Sequence, residues 1–323
     1  MGACFGRSIL EQAHVFICFF LHFLIPPCRQ GGWEGWVEDW AKKLSKRIEE
    51  IRRKRPGYGP MLDFYQKIRE AQERIKPSLK EKPIPFKREW KDLLKKEGFP
   101  LLQKKEFPVD GEASAALFHT LCQIAKETNP YLSEQVNKIE ATLRSQKTDL
   151  KELLEKGWDE KRIEQAAGDF EVAPGVFTFL VQNSVKPSVE AAVKQLQNEI
   201  DGESWLKGNC PVCGCLPSLS LLRNETGIRY LLCSFCDYQW RLERLSCPYC
   251  GNREQASLGY FSGEGEETHR IDLCDQCHQY IKTIDFRITE VFEPFLEDLA
   301  TLHLDLLAVQ KGYERPVPTQ WVT

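Results

Sequence analysis

The sequence predicts an α+β protein: an N-terminal all-α domain, two small tandem four-cysteine modules and a C-terminal helix. Two observations carry this reading. Apolar residues recur at helical spacing from Trp33 onward, with no strand-like alternation before Gly208. Four C-x-x-C pairs then fall between Cys210 and Cys277, among glycines and short β-type runs such as IRYLLC and HRIDLC. The expected divisions are a non-domain N-terminal extension over 1–36, a helical domain over 37–204, modules over 205–246 and 247–287, and a C-terminal helix and tail over 288–323.

The helical elements follow in order. Trp36, Trp40, Leu44, Ile48 and Ile51 form one apolar stripe, which Pro56-Gly57 ends. A second stripe runs through Leu62, Tyr65, Ile68, Ala71 and Ile75. Residues 76–108, with five prolines and many lysines, read as a connector holding one short helix around Trp90 to Leu94. Helical periodicity resumes over 112–127, 132–156, 159–168, 174–184 and 187–200, the last with Pro187 in its first turn. Past the cysteines, Val291, Phe295, Leu299, Leu302, Leu306 and Val309 predict one long apolar face, packed back on a module.

Residues 1–36 stand apart. Val15 to Ile25 is an apolar run of 11 residues, far short of the roughly 20 that span a bilayer. No small-x-small cleavage site follows it, and Pro26-Pro27 precede Cys28 where a lipoprotein signal has small residues. Gly6 stands where a myristoylation signal needs Ser or Thr. The segment reads as an extension upstream of a natural start near Val37, with an ordinary N-terminal helix and a targeting segment as the alternatives, and no membrane association is expected.

The cysteine pairs carry the chemistry. They are Cys210/Cys213 (CPVCG), Cys233/Cys236 (CSFC), Cys247/Cys250 (CPYCG) and Cys274/Cys277 (CDQC). Two intervening residues let both sulfurs of a pair reach one ion, and four thiolates at about 2.3 Å complete a tetrahedron. Rubredoxin-type iron and zinc-ribbon zinc both use this donor set. An internal repeat decides which pairs share an ion. CPVCG…RYLLCSFCDYQWR is followed by CPYCG…RIDLCDQCHQYIK, so that Arg229 aligns with Arg270, Leu232 with Leu273, and Trp240 with Ile281. Cys210, Cys213, Cys233 and Cys236 therefore form site 1, and Cys247, Cys250, Cys274 and Cys277 form site 2. Two ions per chain are expected, and the donor set by itself does not separate iron from zinc. Ligation needs reduced thiols, which suits a cytoplasmic protein. Closed four-thiolate sites leave no open coordination position, and no nucleophile–base constellation accompanies them, so no enzymatic activity is expected.

Other residues read as structural. Cys215 is a bystander to a full site, and His278 a surface residue beside Cys277. His119 and Cys122 belong to helix packing, His303 makes a buried polar contact, and Arg52 to Arg55 form a solvated helix end. Residues 201–290 hold 9 Lys+Arg and 13 Asp+Glu, a balance of −4 that two divalent ions on eight thiolates bring to about −8. Such a surface repels phosphate, so nucleic acid is not an expected partner.

These stretches resemble the formate dehydrogenase accessory proteins, the FdhE family. The resemblance lies in RPGYGPMLDFYQKIREAQ (55–72), Trp205 through CPVCGCLPSLS, GIRYLLCSFCDYQWRLERLSCPYCG (227–251), HRIDLCDQCHQYIKTIDFR (269–287) and EDLATLHLDLLAVQKGYERP (297–316). It implies a cytoplasmic, non-catalytic protein that contacts the catalytic subunit of a molybdenum- or tungsten-dependent formate dehydrogenase during maturation. It also implies rubredoxin-type iron at the eight paired cysteines. Two positions depart from the family pattern: Gln239-Trp240-Arg241 replaces Glu-Trp-His, and Cys215 replaces a common Ser. From the residues alone, a rubredoxin-like electron-transfer protein and a structural zinc scaffold stay open. Some 200 residues of helix exceed what a carrier needs and suit a docking body.

Overall fold

The computed structural model describes residues 32–84, 91–145, 148–156, 160–288, 293–317 and 319. The Val15–Ile25 run, Cys28, Trp90 and Val291 lie outside them. The chain divides into two compact units, Met1–Lys43 and Leu44–Thr323. Of the first, only the beginning of helix α1 (Gly32–Lys54) is described.

In the second unit, α1 buries Leu44, Ile48 and Ile51, and a single 3-10 turn at Pro56–Tyr58 follows it. Helix α2 (Gly59–Ile75) buries Leu62, Tyr65, Ile68 and Ala71, the stripe the sequence predicts. A short α3 (Lys91–Glu97) lies in the proline-rich connector. Helix α4 (Gly111–Thr128) begins on Asp110, whose carboxylate accepts the N–H groups of Glu112 and Ala113. Helix α5 (Pro130–Arg144) begins on Asn129, which accepts the Leu132 N–H, with proline at the first helical position. Among the described residues no strand precedes Pro217.

Two helical expectations are corrected. The 132–156 run divides into α5 and α6 (Leu150–Lys156), because Asp149 accepts the Glu152 N–H and starts a new helix. Helix α7 (Glu160–Asp169) follows. The expected break before Pro187 is absent: α8 runs unbroken from Pro174 to Leu196. A proline inside a helix strands the carbonyl four residues earlier. Here that carbonyl, of Asn183, accepts the Gln72 side-chain amide of α2 at 2.9 Å. The packed neighbour supplies the hydrogen bond that the proline removes.

Six strands follow: β1 (Pro217–Arg223), β2 (Ile228–Cys233), β3 (Gln239–Arg241), β4 (Leu258–Phe261), β5 (His269–Cys274) and β6 (Gln279–Asp285). They form one sheet in the order β3-β2-β1-β6-β5-β4. Each half is an antiparallel three-stranded unit, and β1 joins β6 in parallel, Leu219 opposite Lys282 through Leu222 opposite Asp285. The two halves thus abut head to tail, each repeating the strand order of the other. Strand β1 is buried along nearly its whole length because the sheet is covered on both faces. Leu231, Trp240 and Ile281 belong to the large core that also holds Phe118, Phe177 and Val189 of α4 and α8. Leu219, Leu221, Tyr230, Leu232 and Ile284 form a separate cluster, with Phe295 against it.

The C-terminal helix is also corrected. It divides into α9 (Pro294–Ala300) and α10 (Leu302–Gln310), with buried Thr301 at the break. The Thr301 hydroxyl donates to the Glu297 carbonyl at 2.7 Å. The break shifts the helical phase. Leu299, Leu304 and Ala308 face inward, while Leu306 and Val309 are 65% and 60% exposed. Helix α10 packs on β5, with Leu304 and Ala308 against Ile271 and Tyr280.

Candidate metal centres

Four tight turns present the paired cysteines. The Gly214 N–H donates to the Cys210 carbonyl at 2.9 Å, and the Gly251 N–H to the Cys247 carbonyl at 3.0 Å. The residue after each pair is left-handed: Gly214 (φ 75), Asp237 (φ 57), Gly251 (φ 74) and His278 (φ 54). Glycine takes that conformation without steric cost, which explains it in the two C-P-x-C-G turns. His278 thus completes a turn, and its side chain is exposed, as expected of a surface residue.

The turns converge in two groups, Cys210/Cys213/Cys233/Cys236 and Cys247/Cys250/Cys274/Cys277, the sulfurs of each lying within 4.8 Å of one another. This is the sequential pairing of the repeat. Sulfur separations are 3.6 Å for Cys210–Cys236, 3.3 Å for Cys213–Cys233, and 3.7 Å for both Cys247–Cys277 and Cys250–Cys274. Tetrahedral bonds of about 2.3 Å place sulfurs about 3.8 Å apart, so either group could hold a metal ion. Iron and zinc satisfy the geometry equally.

Electrostatics favour ionised sulfur at one member of each group. Burial drives the Cys210 and Cys236 thiols well up. It opposes ionisation of Cys233 too, but the hydrogen bonds of Cys210, Cys213, Cys215 and Cys236 outweigh it and hold Cys233 well down. The Cys233 sulfur also accepts the N–H groups of Phe235 and Cys236 at 3.4 and 3.5 Å. At Cys274 burial is likewise outweighed, by the Asn252 amide and the backbone N–H groups of Cys277 and Gln276, and the thiol falls to about 7. A cation entering either group displaces the remaining protons.

The surroundings of the two groups differ. The first lies inside the large core shared with the helices. The connector pairs with its first turn, the N–H groups of Leu101 and Leu102 donating to the carbonyls of Pro211 and Val212. Lys186 of α8 grips its second turn through the Phe235 carbonyl (3.2 Å) and the Asp237 carboxylate (2.5 Å). The second group borders solvent: Cys250 is exposed and Cys277 half-buried. Its second turn is held by the tail, where the Glu314 N–H donates to the His278 carbonyl and the Tyr280 N–H to that of Glu314.

Other candidate residues fall outside both groups. The Cys215 carbonyl accepts the Cys210 N–H at 2.9 Å, and its thiol lies 3.9 Å from the Cys213 carbonyl oxygen. Cys122 is buried in helix packing, and burial pushes its thiol up to about 12. His119, one turn away, instead faces outward onto an open hollow with Glu140 and Arg144. His303 lies 3.4 Å from Glu266 and is partly buried. In the basic run, Arg52 pairs with Glu49 and Asp63, and Arg55 with Glu266.

Sequence reasoning missed Lys186, Asn252 and a charged cleft of about 300 Å³ that includes Arg47, Arg55, Glu266, His269 and Glu297. No local spacing marks them. Arg229 was within reach, because the repeat aligns it with Arg270. It is buried on β2, donating to Ser220 at 2.9 Å and to the Ser246 carbonyl at 2.7 Å, and lies 3.7 Å from Asp272 of β5 in the other half.

Comparison with known proteins agrees with this architecture. The family model described as FdhE, central domain, matches residues 209–244, which hold the first group. The FdhE C-terminal domain model matches 245–321, which hold the second group, α9 and α10. A Protein FdhE homolog of Aquifex aeolicus is 28% identical over 272 residues, 83% of this chain and 90% of that protein. The chain is similar to the FdhE proteins along most of its length, and residues 209–321 match the two FdhE domain models. An FdhE homolog of Stutzerimonas stutzeri is 34% identical over 112 residues, covering 34% of this chain and 36% of its own length. The fold is that of the crystal structure of the FdhE protein from Pseudomonas aeruginosa, with a TM-score of 0.63 at 18% identity over 87% of this chain and 95% of that one. No helix among the described residues is long and apolar enough to cross a membrane.

Proposed function

We propose that this chain is a cytoplasmic, non-catalytic accessory protein that binds the catalytic subunit of a molybdenum- or tungsten-dependent formate dehydrogenase and supports its maturation. Similarity to the FdhE proteins supports the accessory role. The observation that carries the rest is the pair of closed four-sulfur groups, at Cys210/Cys213/Cys233/Cys236 and Cys247/Cys250/Cys274/Cys277, set beside a large helical body. The groups would hold two iron ions, with zinc as the alternative. Four thiolates complete each ion's coordination and leave no position for substrate, so their contribution is to fold and stiffen a binding face.

The test is affinity capture from cells grown anaerobically. A formate dehydrogenase large subunit should co-purify with the wild-type chain and not with Cys274→Ala. A Cys274→Ala protein that has lost its second ion yet binds the subunit and restores full activity would overturn the role given to the metal modules. A second reading, a rubredoxin-like electron-transfer protein, is favoured by the exposure of Cys250 beside the second group. It requires a reversible one-electron couple in the iron-loaded protein, which voltammetry would detect.

A further inference from the structure

The two four-sulfur groups are equivalent in sequence but not in setting. At the first, all four cysteines are buried, with exposures of 0% for Cys210, 6% for Cys213, 0% for Cys233 and 1% for Cys236. Its turns are fastened to the connector and to α8, and its sulfurs belong to the core of the helical body. Freeing any of these thiolates requires the body itself to open. At the second, Cys247 and Cys274 are buried, but Cys250 is exposed and Cys277 half-buried. Its Cys274/Cys277 turn is closed by residues near the end of the chain. Glu314 bonds through its backbone to His278 and Tyr280, and the Tyr313 hydroxyl bonds to Asp275. No core cluster includes this group's cysteines among the described residues.

We infer that the second group is an exchangeable metal centre, entered from the Cys250/Cys277 side by an external thiolate or other soft ligand and guarded by the Tyr313-Glu314 clasp, while the first is a permanent fastener. This rests on the reading that both groups hold metal. Exchange is a substitution without electron transfer. The entering thiolate's bond to the ion forms, the Cys250 bond breaks, and Cys250 departs as a thiolate that takes a proton from water. Exposure makes Cys250 the first to leave, because an entering ligand must reach the ion alongside the sulfur it displaces. Cys277 follows when the clasp lifts. A ligand-exchanging centre at the surface suits a protein that hands over or receives a soft metal or a thiolate-bound group, a capacity beyond holding a client.

The experiment uses the full chain loaded with zinc under anaerobic, reducing conditions and mixed with excess chromogenic zinc chelator. Release should occur in two phases of one equivalent each, about tenfold or more apart, the ratio given by a barrier difference of about 1.4 kcal/mol. Cys250→Ser should abolish the fast phase and leave the slow one. Tyr313→Phe, which removes no ligand, should accelerate the fast phase alone. Two equivalents released in a single phase, or a Cys250→Ser variant that loses the slow phase, would overturn the inference while leaving two metal centres standing. Loading of one equivalent or fewer would overturn the two-centre reading and this inference with it.

Discussion

At the scale of single residues, buried charge is where the molecule is most sensitive. Glu297 is nearly fully buried, and its carboxylate takes two bonds from Arg47, at 2.6 and 2.7 Å, while the His269 ring lies 3.1 Å away. Burial alone would raise its pKa, but Arg47 and His269 outweigh burial and hold it at about 2. A carboxylate depressed on folding adds stability above its unfolded pKa of about 4.5 and loses it as pH falls toward 2. The gap corresponds to about 3 kcal/mol. Denaturant unfolding between pH 6 and pH 3 should therefore show a steep acid loss in the wild type and a flatter profile in Glu297→Gln. Equal slopes in the two proteins would dismiss the linkage. Cys215 is the opposite case. Its contribution to the first turn is a backbone carbonyl, and serine keeps a hydroxyl to donate toward Cys233, so Cys215→Ser should keep both metal equivalents and change stability by less than about 0.5 kcal/mol.

At the scale of elements, the helices repeat one lesson. Caps and stripes are local and readable: Asp110 and Asn129 start α4 and α5, and Leu62, Tyr65 and Ile68 fix the inward face of α2. Pro187 misleads because its consequence is resolved by another element. Gln72 lies 111 positions away in sequence and satisfies the carbonyl of Asn183. Gln72→Leu should cost about 1–3 kcal/mol, the price of a buried unsatisfied carbonyl. In a Pro187→Ala background the helix regains its own donor and that cost should fall. A double-mutant cycle with no coupling would refute this account of the unbroken helix. The phase shift at Thr301 has the same character. Lys282, fully buried, is paired with Asp298 at 2.8 Å and Asp305 at 2.6 Å, and Arg315 joins the same carboxylates. Asp298 and Asp305 fall on either side of the break, so these ion pairs fix α9 and α10 to β6 in a relation that apolar periodicity cannot express.

At the scale of the whole molecule, the continuous sheet and the shared core place the two four-cysteine modules in unequal settings. The first module's Trp205, Val212, Leu231 and Trp240 lie in the same core as Phe118, Phe170 and Phe177 of the helical body. Disrupting the first four-sulfur group should therefore loosen far more than its own module. Cys233→Ala is expected to lower the melting temperature of the helical circular dichroism signal by several degrees, of the order that 1–2 kcal/mol produces in a chain this long. Cys274→Ala should leave that transition nearly in place. Identical shifts in the two variants would show that the groups share one cooperative unit.

The sequence by itself determined the order of helical and cysteine-rich regions, the grouping of the eight paired cysteines, and the acidic balance of the modules. Each of these is written in short spacing: three to four residues for a helix face, three for a knuckle, and a repeat that aligns one knuckle with the next. Tertiary structure alone decided that the two modules merge through β1 and β6, that Pro187 sits inside an unbroken helix, that α10 turns Leu306 and Val309 outward, and that the first four-sulfur group is enclosed while the second meets solvent. The physical reason is common to all four. Burial and the satisfaction of a polar group depend on what arrives from a distant part of the chain, and spacing within a segment carries no record of that neighbour.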